Sequence, residues 1–247
     1  MSLLLLRLAG SLQSWSGYRH QVNMTSSVPT QGVPRKSAIN GLIGTALGPV
    51  DHGFGSARDL EAIGDRYRLH VRVEARNATT EDFQVLGPLP PRATTRAEVM
   101  GRLGTASTKA FPAKRGDGNF PTTVSRKDFL SHTEFVVGLQ TDQETAEAWF
   151  AAFRDPVFMP YLGRKSCAPS FPFLLGVHPG EPDQVFATLG HVDKYGAADR
   201  DGTVRLTGYE ISGDYNRHVA DLHPLAYSPP TSTRESQLTW VKEHCSR

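Results

Sequence analysis

The chain has 247 residues, of which 38% are hydrophobic and 21% charged, and a formal net charge of +2. This composition suits a folded chain with a sizeable core and excludes a disordered or collagen-like one. The near-neutral charge gives no overall argument for nucleic acid, and the two cysteines, Cys167 and Cys245, have no disulfide-framework or metal-ligand spacing, which fits a reducing cytoplasm.

Residues 2–9 form an apolar run ended by Gly10. The run is too short for a signal segment or a membrane span and reads as a central strand. Arg7 interrupts it, so one face is expected to meet solvent or a ligand there. The loop that follows carries Gln13, Ser14 and Trp15. Trp15 either stacks a nucleotide base or packs a core edge. Pro29-Thr30-Gln31-Gly32 reads as a turn.

After Pro34, the residues Ile39, Leu42, Ile43, Ala46 and Leu47 follow the spacing of one buried helix face, closed by Gly48-Pro49. Arg35, Lys36 and Ser37 then occupy the first turn. Cations there oppose the helix dipole. The turn either receives a phosphate together with the helix N-terminus or is an exposed turn without a ligand. A short helix is expected over residues 59–63. Residues 67–75 alternate as a half-buried strand, with Arg68, His70, Arg72 and Glu74 on its polar, solvated face.

Residues 87–125 hold ten Gly or Pro and only two aromatics, Phe111 and Phe120. So long a loop inside a domain is unusual and is commonly functional or disordered. Over residues 92–128, eight cations face three acids, a net of +5, while the rest of the chain carries −3. A near-neutral protein thus has one basic arm, which includes Arg102, Lys109, Lys114, Arg115, Arg126 and Lys127. That is the electrostatic footprint of nucleic-acid binding.

A strand follows over residues 129–139. A helix is expected over residues 144–153, with Asp142 as N-cap and Ala148, Trp149, Ala152 and Phe153 facing inward. Next comes Tyr161-Leu162-Gly163-Arg164-Lys165-Ser166-Cys167. Gly163 permits close approach of the backbone to a ligand, and Arg164 offers a planar fork for phosphate oxygens. Lys165 and Ser166 complete an anion cradle, unless the turn is simply a solvated one. Residues 171–177 form another apolar strand. The order of strand, helix, strand, insertion, strand, helix, strand is the split βαβ, ferredoxin-like pattern. Past residue 179 the texture changes to short strands, at 185–187, 203–206 and 219–222, with a polar, mobile stretch at 228–236. No Walker loop, dinucleotide fingerprint or zinc motif is present, and no cofactor or metal is expected.

Three ordered motifs carry a resemblance: Leu4-Leu5-Leu6-Arg7-Leu8-Ala9-Gly10-Ser11-Leu12-Gln13-Ser14-Trp15, then Val33-Pro34-Arg35-Lys36-Ser37-Ala38-Ile39-Asn40-Gly41-Leu42-Ile43-Gly44, then the Tyr161–Cys167 run. Arg126-Lys127-Asp128-Phe129-Leu130 is a weaker fourth. Over residues 2–178 the chain resembles the CasD family of CRISPR-associated proteins, a RAMP family whose members hold the crRNA 5′ handle in type I-E Cascade. The resemblance implies an α+β, ferredoxin-like (RRM-type) domain over residues 1–178. A long basic thumb would be inserted at about 83–128, and a small β-rich part would follow over 179–247. It implies a non-catalytic, cytoplasmic RNA-binding subunit in antiviral defence. Its partners would be the crRNA 5′ handle, the backbone and large Cascade subunits and, indirectly, target DNA, with no membrane. RNA contacts are expected at Gln13, Ser14, Trp15, Lys36, Ser37, Arg126, Lys127, Arg164, Lys165 and Ser166. In the thumb they are expected at Arg102, Lys109, Phe111, Lys114 and Arg115. Residues 10–15, 35–37 and 163–166 are expected to converge on one surface. The alternative is a metal-independent CRISPR-repeat endoribonuclease, as in type I-C relatives, with Tyr18, His20 and Lys36, or His132 beside Lys127, as its candidate groups.

Overall fold

In a computed structural model of the chain, the apolar opening run forms β1 (Ser2–Ala9), buried along its whole length. Continuous burial is what its pattern requires, because β1 lies inside the sheet with covered faces on both sides. The described residues are 1–15, 29–48, 57–76, 78–86, 123–194, 196, 198–212 and 221–246.

The elements after β1 are β2 (Leu12–Gln13), α1 (Lys36–Leu47), α2 (Ala57–Asp65), β3 (Arg68–Ala75), β4 (Thr79–Leu86), β5 (Thr123–Ser131) and β6 (Glu134–Thr141). Then come α3 (Gln143–Arg154), β7 (Leu174–His178), α4 (Pro182–Thr188), β8 (His191–Val192), β9 (Leu206–Ser212), β10 (Asp221–Tyr227), β11 (Thr231–Ser232) and α5 (Arg234–His244). The protein is mixed α/β. Its main sheet has the order β10-β9-β3-β6-β1-β7 and is antiparallel throughout. A second sheet, β2-β5-β4, grows from the end of β1.

Period-two alternation splits the core. Leu4, Leu6, Leu8, Leu69, Val71, Phe135 and Val137 face α1 and α3. Leu3, Leu5 and Val136 face the other way, against Val185 and Phe186 of α4 and Val241 of α5. Asp142 caps α3 as expected, its Oδ1 accepting the Thr145 amide at 2.8 Å. Trp149 and Phe153 of α3 face inward with Ala146, Ala152 packs partly buried against the same core, and Ala148 is exposed. Leu47, expected inward, is also largely exposed, because α1 ends there.

Several expectations change. The strand expected over 129–139 is two strands, with exposed His132 at φ +49° in the turn between them. Residues 185–187 lie in α4, which starts at Pro182, a residue preorganised for a first helical turn. The polar stretch 228–236 contains β11 and the start of α5, where Thr233 Oγ1 accepts the Ser236 amide. On the polar face of β3 only Arg68 is exposed, since His70, Arg72 and Glu74 are all buried. Residues 179–246 supply two helices, and β9 and β10 extend the main sheet beyond β3.

Charge pairing makes the burial of Arg72 and Glu74 tolerable. Fully buried Arg72 donates Nε–H to Glu74 Oε1 at 2.5 Å, and its Nη1 donates to the carbonyls of Phe186 and Leu189. His191 Nδ1 lies 2.8 Å from Glu74 Oε2. Arg7, expected to meet solvent or a ligand, is buried against Glu134. The C-terminal elements are therefore fastened by ion pairs to a polar stripe on the sheet.

Candidate nucleic-acid interface

The turn after Tyr161 is built on the loop after β1. Ser14 donates its amide to the Leu162 carbonyl at 3.1 Å, and Ser170 donates to the Ala9 carbonyl at 2.7 Å. Within the turn, Leu162 N–H bonds the Cys167 carbonyl and Cys167 N–H bonds the Arg164 carbonyl, both at 2.8 Å. Gly163 has φ +83°, and a Cβ there would lie 1.7 Å from the Ser14 carbonyl oxygen. The close approach that needs glycine is thus to the chain itself and not to a ligand. Gly10 is held likewise, since a Cβ would sit 2.8 Å from the Ala168 carbonyl.

This stitching positions Arg164. Its Nε–H donates to Ser14 Oγ at 3.0 Å, and its guanidinium lies 5.5 Å from the centre of the Phe129 ring. Ser14 Oγ in turn donates to the Asp128 carbonyl at 3.2 Å. One hydroxyl therefore ties the first loop, the late turn and β5 together. A guanidinium set over a ring keeps a fixed plane, which suits recognition of phosphate. Lys165 and Ser166 beside it are exposed, and Cys167 is buried, which pushes its thiol above the ordinary range. Arg164 thus stands at the surface, with more cation and hydroxyl next to it.

The other residues of the first motif lie beneath that surface. Trp15 is fully buried in the main core, and its indole N–H donates to Gln13 Oε1 at 3.0 Å. Gln13 is also fully buried, its Nε2 donating to the carbonyls of Leu8 and Thr133 at 3.1 and 2.6 Å. The expectation that Gln13 and Trp15 meet RNA is corrected accordingly. A buried amide and indole satisfied by the protein hold the loop in shape and offer nothing to a base. Ser14 is nearly as buried and acts through Arg164.

Lys36 and Ser37, both half-buried, open α1, whose first turn has no acid and no side-chain cap. Lys36 sets its ammonium 5.2 Å from the centre of the Tyr67 ring. Tyr67 precedes β3, whose first residue, Arg68, pairs with Gln140, itself opposite Leu3. Ser14 and Arg164 sit beyond Leu8, at the other end of β1. The segment before α1 is tied to the loop after β1, since the Trp15 amide donates to Thr30 Oγ1 at 2.8 Å.

Arg126 and Lys127 lie on β5. Arg126 faces Phe83 across the β4–β5 pair and stacks 5.4 Å from its ring centre, and Lys127 Nζ donates to Gln84 Oε1 at 3.2 Å. This hairpin brackets residues 87–122. The thumb residues Arg102, Lys109, Phe111, Lys114 and Arg115 lie outside the described residues, as do Tyr18 and His20. Sequence reading missed the roles of Phe83 and Phe129. For Phe83 the signal was the pairing register, which sets it against Arg126 only once β4 and β5 are recognised as partners, whereas Phe129 meets Arg164 through tertiary packing that no local pattern carries. Among the described residues, no group of three or more His, Cys, Asp or Glu is arranged to hold a metal ion. No described helix is long and apolar enough to cross a membrane.

Comparison with known proteins gives the family. The profile of the family described as CRISPR-associated protein (Cas_Cas5) matches residues 3–241. The CRISPR system Cascade subunit CasD of Escherichia coli (strain K12) is 28% identical over 179 residues, which cover 71% of this chain and 70% of that protein. A chain of a solved CRISPR RNA-guided surveillance complex shares the fold with a TM-score of 0.67 at 19% identity, over 97% of this chain and 99% of the other. A solved Cas protein aligns with a TM-score of 0.54 at 22% identity, over 93% and 95% of the two chains. The chain belongs to the Cas5 family of CRISPR-associated proteins.

Proposed function

We propose that the chain is a non-catalytic crRNA-binding subunit of a CRISPR surveillance complex of the type I-E Cascade kind. It holds the crRNA 5′ handle and contacts the backbone and large subunits in the cytoplasm, and through them target DNA, as part of antiviral defence. Family membership and the CasD relative support the assembly role. The observation that carries the RNA-binding reading is Arg164, fixed between the Ser14 hydroxyl and the Phe129 ring with Lys165 and Ser166 exposed beside it. Single-stranded RNA is recognised by charge at its phosphates together with stacking and edge contacts at splayed bases.

The sheet order supports a ferredoxin-like reading of the central unit. Within β3-β6-β1-β7, the first strand stands between the third and fourth of a βαββαβ repeat, all antiparallel. The β4–β5 hairpin is then the base of a basic thumb that runs along the RNA.

Purification after co-expression with a CRISPR array, followed by sequencing of the bound RNA's 5′ end, tests the proposal. RNA sharing one repeat-derived 5′ end is expected. RNA with random ends, or none, overturns it.

A further inference from the structure

Glu134 is almost entirely buried, and three cations converge on it. Arg7 donates to both oxygens, Nε to Oε1 at 2.7 Å and Nη2 to Oε2 at 3.0 Å. Lys194 Nζ donates to Oε2 at 2.7 Å, and Arg234 Nη2 donates to Oε1 at 2.6 Å. Three positive groups on one carboxylate leave the cluster with excess positive charge. Two of the three reach the surface, since the Lys194 side chain is 45% exposed and that of Arg234 is 25% exposed. Asp193, beside Lys194 in sequence, turns a carboxylate oxygen to the Ala198 amide at 3.1 Å. Glu235 follows Arg234 on α5 and is exposed.

The same arginine fixes an aromatic residue at the rim. Arg7 Nη1 donates to the carbonyls of Phe171 and Pro172 at 3.4 and 3.3 Å. The Phe171 side chain nevertheless stands 91% exposed, the most exposed large apolar residue described. Its backbone is held by Arg7, the same side chain that binds Glu134, while the residue itself is left in water. A ligand that joins negative charge to a flat ring fits both features, and that combination is a nucleotide.

We propose that Phe171, Lys194 and Arg234 form a second nucleic-acid contact for one nucleotide of a single strand, with the phosphate at the two cations and the base stacked on Phe171. Ser170, bonded to Ala9, connects this surface to the Arg164 turn through five residues of chain. One strand can therefore touch both in passing. The proposal extends the RNA-binding reading and rests on it for the direction in which that strand runs.

The test is fluorescence anisotropy of the full chain with a labelled single-stranded oligouridylate, across a salt series. Phe171→Ala is expected to weaken binding roughly tenfold, within the range for removing one base–aromatic stack. Lys194→Ala is expected to lower the slope of log affinity against log salt by about 0.7, the value for one phosphate contact on a single strand. Phe171 is exposed, so an unchanged thermal midpoint confirms its variant's fold, while Lys194→Ala also removes a bond to Glu134 and its fold is confirmed by an unchanged circular dichroism spectrum. Parental affinity and slope in both variants overturn the proposal. It is equally overturned if Phe171→Ala binds RNA normally but loses a co-purifying protein, which would assign the ring to a protein contact. Arg164→Ala separates the two readings. Loss with Arg164→Ala alone rejects the second contact and keeps the first. Loss with Phe171→Ala and Lys194→Ala alone keeps the second and rejects Arg164, and a parent that binds no RNA rejects both.

Discussion

Arg7 and Glu134 meet in a two-pronged ion pair inside the protein, at 2.7 and 3.0 Å, although 127 positions separate them in the chain. The pair bridges neighbouring strands, since Arg7 stands opposite Val136 and Glu134 opposite Ala9. Lys194 and Arg234 join it from the C-terminal elements.

Acid should therefore loosen the protein through Glu134. Burial alone would raise this carboxyl, but the bonds from Arg7 and Lys194 and the charge of Arg234 outweigh it and hold the value at about 2, against an ordinary 4.5. Because the folded value is the lower one, the unfolded chain binds the proton first as pH falls. The stabilisation is whole above about pH 5 and is lost progressively as pH drops toward 2, amounting to about 3 kcal/mol. Glu134→Gln should cost about 3–5 kcal/mol at pH 7, since it strands buried cations, and should flatten the acid limb of urea-unfolding curves. A variant as stable as the parent at pH 7 would refute this account.

His70 should act in a higher pH range. Burial lowers its pKa, with the charge of Glu210 only partly offsetting that, so the ring is neutral in the fold. A histidine whose folded pKa is lowered gives the unfolded chain the greater proton affinity. Stability should therefore fall as pH drops below about 6.5. Unfolding free energies at pH 7.5 and pH 5.5 should differ more for the parent than for His70→Leu. Equal differences would show that the ring does not titrate with folding.

Gly163→Ala should damage the site without removing a functional group. The new Cβ would collide with the Ser14 carbonyl, and the positive φ would be strained as well. The left-handed backbone alone costs a non-glycine residue about 1–2 kcal/mol, and the clash adds to it. A lower thermal midpoint is expected together with weaker RNA binding, because Arg164 moves with the turn. Gly41→Ala, where a Cβ meets nothing within 4 Å, is the control and should not be destabilised.

Removing both cations of the turn, with Arg164→Ala and Lys165→Ala, should weaken handle binding by about 1–3 kcal/mol for each charge-assisted hydrogen bond to the RNA. The salt slope should fall by about 0.7 for each phosphate the two side chains neutralise. A titration with unchanged affinity and slope would leave the turn a solvated one.

The non-catalytic reading predicts that labelled repeat RNA stays intact when incubated with the protein and a chelator. A specific product that disappears with His20→Ala or His132→Ala would instead establish the endoribonuclease alternative.

Periodicity and caps made the central elements legible. The apolar run of β1, the spacing in α1 and the Asp142 cap of α3 each depend on neighbours a few positions away. Features that depend on distant partners were not legible. The polar side of β3 reads as solvent-facing until Arg72 is found bonded to Phe186 and Leu189, more than a hundred residues later. Trp15 and Gln13 look like binding groups until their partners in the core are known. Arg164 was legible as a cation on a glycine turn, but Ser14 and Phe129, which set its orientation, were not legible as its partners.

The position of β1 also bears on how the chain is made. It precedes both of its partners in the chain, since Leu5 pairs with Gly138 on one side and Gly176 on the other. Roughly 170 residues must be synthesised before both flanks are available, on the order of ten to thirty seconds at ordinary rates of synthesis. Until β6 is made Leu3-Leu4-Leu5-Leu6 has neither of its final neighbours, and until β7 is made it has only one, and such a segment pairs readily with other chains. Yield in recombinant expression should therefore respond to chaperone supply and to slower synthesis at lower temperature more than to the stability of the finished fold.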